Sequence, residues 1–310
     1  MPTSDAPSPG LNRVFFEIAE IASPRRAPKG ATLYATLDPS PDFFLVAEGR
    51  LRIERITAQG PQSLGWAGPG DFAGAAEALL AITRLGQAVA EEDTRIFAIP
   101  AAEVFGGAPS PELGDYVLRR LAGYLRSLND EFGKFFGSQL PRAPIEEPSE
   151  ASPLTIPSDE KSEALARGGL ASADTRILSS YCREEAYPQG AVIFREGDEG
   201  NALSVIARGS VRISRRIPGA GEEAFAILEP GAIFGEMAVF EPSSPLRSAD
   251  AIAHSDCALL TLDRSVIARL RLEAPAEASA LTAALCHLAA RRIAETSERL
   301  VRWRIMAGMF

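Results

Sequence analysis

Histidine is nearly absent: His254 and His287 are the only two in 310 residues. They stand too far apart for a His-x-His metal cluster, and each reads as structural or solvated. Cysteine is almost as scarce. Cys182, Cys257 and Cys286 are odd in number and widely spaced, which excludes a disulfide framework and a zinc-ligand pattern and makes a reducing cytoplasm the expected compartment. No run of about 18 apolar residues occurs, and the opening MPTSDAPSPG lacks a basic segment followed by an apolar core. Neither membrane insertion nor an export signal is expected. Positive charge is in deficit as well, with 32 Lys plus Arg against 41 Asp plus Glu and a net charge of −9. That excludes a broad electrostatic footprint for nucleic acid or anionic lipid, so any anionic ligand must be met by a local cation. Walker-type loops and nucleophile elbows are missing too. No enzyme is expected, with neither a catalytic residue nor a metal or cofactor site.

What remains is an ordinary globular mixture, 46% apolar and 24% charged, in a chain long enough for two domains. The stretch PRAPIEEPSEASPLTIPSDEKSE replaces aliphatic periodicity with Pro, Ser and Glu and reads as a solvated linker over residues 138–169. It separates domains at 11–137 and 170–310. The two halves align. At an offset of 160, Pro28, Gly30, Tyr34, Asp38, Gly49 and Ile53 meet Pro188, Gly190, Phe194, Asp198, Gly209 and Ile213; at 161, Gly70 and Gly74 meet Gly231 and Gly235; at 163, Arg84 meets Arg247. Turn glycines and strand apolars matching in order mark a duplication. Within each copy, short Val- and Ile-rich runs such as AVIF, ALSVIA and SVRISRR are spaced by turn signals, the pattern of a barrel, roll or sandwich. The period then turns helical: Pro111 to about Phe136 in the first copy, and in the second a short helix from Asp263, a break at Pro275 and a long helix to Met306. The expected fold is mainly β with α, a β-roll with a C-terminal helix, twice over.

The most informative segment is Phe234-Gly235-Glu236-Met237-Ala238, followed eleven residues after the acid by Arg247-Ser248-Ala249. A glycine leading into a short helix presents free backbone N–H groups, and an arginine can add two parallel charge-assisted hydrogen bonds to a phosphate. This segment resembles the phosphate-binding cassette of the cyclic-nucleotide-binding domain family, which includes catabolite activator proteins and protein kinase A regulatory subunits. The resemblance covers Asp174 to Met306 well and Arg13 to Phe136 weakly. It implies two tandem double-stranded β-helix (jelly-roll) domains and a ligand, cAMP in preference to cGMP. Arg247 would hold the phosphate, Glu236 would accept from the ribose 2′-hydroxyl, and Ser248 would touch phosphate or base. Thr296 and Ser297 on the last helix resemble the Thr-Ser pair that meets the adenine edge in catabolite activators. Thr296 also falls near the centre of an apolar stripe formed by Leu281, Leu285, Leu288, Ala289, Ile293, Leu300 and Trp303, where bonding to its own backbone is the competing role.

The first copy departs from that pattern. Gly74 and Arg84 are kept, but Ala75 replaces the ribose acceptor, Leu85 replaces Ser248, and the turn residues Gly197 and Gly200 become Leu37 and Ser40. It is expected to be a degenerate domain whose loop is no longer shaped around a ligand, with Glu77 close enough in sequence to enter the vacated region. The cysteine cluster of redox-sensing relatives is missing. The chain ends fourteen residues after Thr296, so no helix-turn-helix and no direct DNA binding are expected. The resulting expectation is a cytoplasmic receptor that signals to an effector protein by moving its C-terminal helix. That helix could pack as a homodimer or as a pseudo-dimer within one chain. The alternatives are a scaffold that keeps the fold without sensing, or a transcription-related regulator acting through a partner.

Overall fold

A computed structural model describes residues 9–105, 111–135, 148–171, 173–217, 221–240 and 245–308. Residues 138–147 of the expected linker and residues 218–220 lie outside them. The first copy runs α1 (Pro9–Ile21), β1 (Ser23–Ala27), β2 (Thr32–Tyr34), β3 (Asp42–Glu48), β4 (Leu51–Thr57), β5 (Gly60–Ala67), β6 (Phe72–Ala73), α2 (Ala75–Leu80), β7 (Gln87–Ala90), β8 (Thr94–Pro100), α3 (Ala101–Phe105) and α4 (Pro111–Phe135). Its strands form two antiparallel sheets, β1-β8-β3-β6 and β2-β7-β4-β5.

The second copy adds β9 (Ser152–Pro153), α5 (Ser158–Leu165) and α6 (Thr175–Ser180) before β10 (Arg183–Tyr187), β11 (Val192–Phe194), β12 (Ala202–Arg208), β13 (Val211–Ile217), β14 (Gly221–Leu228), β15 (Ile233–Phe234), α7 (Glu236–Phe240), β16 (Asp250–Ala253) and β17 (Cys257–Asp263). It closes with α8 (Arg264–Glu273) and α9 (Pro275–Met306). The sheets are β15-β12-β17-β10-β9 and β11-β16-β13-β14. Each copy is a β-roll, as the strand spacing predicts. The irregularities repeat as well as the strands: β3 slips against β8 between Val46 and Glu48, and β12 against β17 between Ile206 and Arg208. A bulge inserts one residue at a fixed point of a ladder, so finding it at the same offset of 160 is evidence of duplication beyond glycine matching.

Between the sheets lie Tyr34, Phe44, Val46, Leu51 and Ile96 in the first roll and Ile206, Val211, Phe234 and Leu259 in the second. Residues 148–169 are not a solvated linker. Ser149 N–H donates to Val192 O (2.7 Å), β9 pairs with β10, Lys161 bridges Glu184 at 2.8 Å, and Ile156 and Leu165 are buried. The Pro- and Ser-rich composition hides a short amphipathic helix whose few apolar residues all face inward.

Packing divides the chain into two compact units. One comprises residues up to Leu128 together with those from Cys286 onward; the other is Asn129–Leu285. The C-terminal part of α9 therefore belongs with the first roll. There Cys286 Sγ lies 3.9 Å from Gly114 O, Arg304 donates to Ser63 O, and Ile293, Ser297, Leu300 and Val301 are buried. No helix among the described residues is long and apolar enough to cross a membrane.

Candidate functional site

Arg247 is held in place by backbone before its side chain makes any contact. Its N–H donates to Asp198 O and its carbonyl accepts from Gly197 N–H, both at 2.9 Å, so the loop between β11 and β12 clasps it. The guanidinium lies 4.1 Å from the Phe194 ring centroid, a cation–π contact that fixes its plane. Nη1 donates to Ala202 O (2.8 Å) and Gly235 O (2.9 Å). Both bonds use one nitrogen, which leaves the Nε–Nη2 edge. Nε is buried with no hydrogen-bond partner among the described residues. A buried donor left unmet costs free energy that an arriving anion recovers. Burial lowers the Arg247 pKa from its ordinary value, opposed by Glu236, Asp198 and Tyr187.

The rest of the expected site assembles around this group. Gly235 has φ +79, and a Cβ there would lie 2.6 Å from Arg247 Nη1, so this position needs glycine for conformation and for space. Glu236 opens α7, is 4% exposed and sits close enough to Arg247 to raise its pKa. Ser248 Oγ donates to Met237 Sδ at 3.4 Å. Phe234, Met237, Ala238 and Ala249 are buried; they form the wall behind the cassette, and their side chains are packed inward.

Thr296 and Ser297 fall in the other unit. Packing places both with the first roll, whereas the sequence reading put them over the second. Ser297, not Thr296, is the hydroxyl on the buried stripe, and its Oγ donates to Ile293 O (2.6 Å) and Ala294 O (3.0 Å) of its own helix. Helical back-bonding of this kind satisfies a buried hydroxyl without a ligand.

Three contributors are not on the sequence-derived list of site residues. Phe194 supplies the ring under Arg247; its signal was the aromatic at the same offset in both copies. Arg264, at the start of α8, donates to Val239 O (3.1 Å) and to Ala238 O, tying the end of the cassette helix to the helix that follows the roll. Gly200 gives the guanidinium room, since a Cβ there would meet Arg247 Nε at 2.4 Å and Ala238 Cβ at 2.7 Å. Gly200→Ala is therefore expected to overpack the site by about 1–3 kcal/mol and weaken ligand binding roughly tenfold or more. Titration calorimetry on the variant checks this, and unchanged affinity would dismiss Gly200.

The first roll repeats the scaffold more faithfully than expected. Arg84 lies 4.4 Å from the Tyr34 centroid, donates from Nη1 to Gly74 O (2.5 Å) and from Nη2 to Asp42 O, and is 2% exposed. Its backbone exchanges bonds with Leu37 and Asp38 at 2.9 Å, as Arg247 does with Gly197 and Asp198. The loop has kept its shape. Leu37 holds φ +72 where Gly197 holds φ +87, because those paired hydrogen bonds impose a left-handed residue whatever its side chain. A side chain there costs about 1–2 kcal/mol, and Leu37 is 74% exposed with little packing to lose. Leu37→Gly is expected to stabilise the first unit by about 1 kcal/mol, read as a raised urea midpoint; a lowered midpoint would contradict the strain. One difference is chemical. Arg84 uses both terminal nitrogens on carbonyls, where Arg247 uses one.

Other chemistry is sparse. The three thiols are free, and burial pushes Cys182 up to about 12 and Cys257 up to about 11, so neither is a ready nucleophile near neutral pH. No group of three or more His, Cys, Asp or Glu is placed to hold a metal among the described residues.

The family model "cyclic nucleotide-binding domain" matches residues 24–106 and again 184–273. Among curated proteins, the chain is 39% identical over 132 residues to the cyclic AMP receptor protein of Thermus thermophilus, covering 43% of this chain and 58% of that one. It is 37% identical over 93 residues to human cGMP-dependent protein kinase 2, covering 29% and 12% respectively. The structure of cAMP-bound PfPKA-R aligns with 85% of this chain and 77% of its own at 16% identity and a TM-score of 0.33. The chain thus spans under two thirds of the curated relatives it matches. With two matches covering more than half of the chain, and the same arginine-centred cassette in both rolls, the chain belongs to the cyclic nucleotide-binding domain family and carries that domain twice in tandem.

Proposed function

We propose that the second β-roll is the receptor for a 3′,5′-cyclic mononucleotide, cAMP ahead of cGMP, and that the protein passes the binding event to an effector protein without catalysing a reaction. The observation that carries this reading is the Arg247 guanidinium, clamped by Phe194, Ala202 O and Gly235 O with its Nε buried and unmet. A phosphate arriving on the Nε–Nη2 edge receives two parallel charge-assisted bonds. Glu236, an acceptor fixed at the start of α7, suits a ribose 2′-hydroxyl and so favours ribonucleotides. The preference for cAMP is supported by the small hydroxyl of Ser248 and by similarity to a relative named for cyclic AMP.

The output runs through α7. Drawing the cassette towards the phosphate moves the carbonyls of Ala238 and Val239, and Arg264 carries that displacement into α8 and the first turns of α9, ahead of Cys286. Ligand binding thereby biases helix position by differential affinity for two arrangements. The net charge of −9 suits a protein effector better than direct DNA contact. Titration calorimetry of nucleotide-stripped protein with cAMP and cGMP is the test, supported by the mass of any nucleotide that co-purifies. Heat with cAMP at low micromolar concentration is expected; no heat with either nucleotide leaves the scaffold reading in its place.

A further inference from the structure

The two cassettes carry their acids at different positions in the first turn of the short helix. In the second roll the acid is Glu236, the first residue of α7; in the first roll that place is Ala75, and the acid is Glu77, the third residue of α2. The position matching Glu77 in the second roll is Ala238, so no carboxylate stands there. Glu77 turns back towards the arginine. Its Oε1 accepts from the N–H of Leu85 at 3.4 Å, the residue immediately after Arg84. Its charge also acts on Arg84, Tyr34, Tyr124 and Arg55.

We propose that Glu77 is a built-in anion, its carboxylate held at the Leu85 amide, next in the chain to Arg84, where a cyclic nucleotide would place its phosphate, so that the first roll is closed to nucleotide by its own chain. The inference rests on reading the second roll as the nucleotide site. Three observations converge on it. The scaffold around Arg84 is intact, down to the loop held by Leu37, so loss of shape does not explain a silent site. Arg84 Nε, like Arg247 Nε, is buried with no hydrogen-bond partner among the described residues, so the cation that would meet a phosphate is kept. A carboxylate already supplies the negative charge such a cluster attracts, and a second anion would meet it as a like charge at close range.

The test uses the full chain with the second site silenced by Arg247→Ala, and equilibrium dialysis against radiolabelled cAMP. With Arg247→Ala alone, no uptake is expected at micromolar cAMP. Adding Glu77→Ala should raise affinity at least tenfold and bring uptake towards one cAMP per chain, and adding Arg84→Ala should abolish that gain. Thermal unfolding checks each variant for folding; if Glu77→Ala does not fold, Glu77→Gln removes the charge and keeps the shape, with a smaller gain expected in the same assay. The proposal is overturned if folded variants lacking Glu77 show no gain, or if the chain with only Arg247 replaced already takes up one cAMP. Failure of the second-roll reading looks different, because the unsubstituted chain would then bind no cAMP while the Glu77 comparison still gives its own answer.

Discussion

Arg247→Ala is expected to weaken cAMP binding by two to four decades. Each charge-assisted hydrogen bond to the phosphate contributes about 1.5–3 kcal/mol, and the substitution removes two parallel ones together with the local cation, a loss of about 3–5 kcal/mol. The acidic character of the chain sharpens the effect, because with a net charge of −9 no diffuse positive field substitutes for the missing group. Arg247→Lys should fall between, since an ammonium restores the charge without the planar fork and cannot bond Ala202 O, Gly235 O and a phosphate in the same geometry. Part of the alanine effect is structural, because those two carbonyls lose their donor. Unfolding curves of the nucleotide-free variant measure that part, which is expected to be small beside the loss of affinity. Binding within threefold of the unsubstituted chain would remove Arg247 from the site.

Leu300→Ala is expected to destabilise the first unit by about 2–5 kcal/mol, the range for emptying a fully buried leucine site, while leaving nucleotide affinity at the second roll unchanged. The residue is 0% exposed and lies in the part of α9 grouped with the first roll. The dissociation of the two effects is the point. If the end of α9 served the second roll's ligand, as the Thr296-Ser297 resemblance implies, the same substitution would loosen nucleotide binding. Urea unfolding and calorimetry on one preparation distinguish the outcomes.

The cassette was legible in the sequence because it is local: glycine, acid and arginine occur in order within thirteen residues, and the fold brings them together. The duplication was legible for a similar reason, since turn glycines mark fixed points of a repeated backbone. The allegiance of α9 was not. A 3.6-residue period tells which face of a helix is buried but not what buries it, and a shift of one position exchanges Thr296 for Ser297 on that face. The first loop misled for a subtler reason. Replacing Gly197 by Leu37 looks like release from a strained turn, yet backbone hydrogen bonds on both sides of Arg84 keep the turn and make leucine bear it. Residues 148–169 misled through composition, since Ile156, Ala164 and Leu165 are too few to register against Pro, Ser and Glu but are all buried.

That the first unit is completed by residues from Cys286 onward has a consequence for synthesis. A ribosome delivers the N-terminal roll first, but the helix segment that covers it arrives only after about 160 further residues, a delay of roughly 8–30 s at 5–20 residues per second. During that interval the second roll can close while the first waits with the place of Ile293, Leu300 and Val301 unfilled. The order of folding is then the reverse of the order of translation, and a later-made segment finishes an earlier-made domain. A nascent chain stalled before Cys286 should accordingly be protease-sensitive in its N-terminal third.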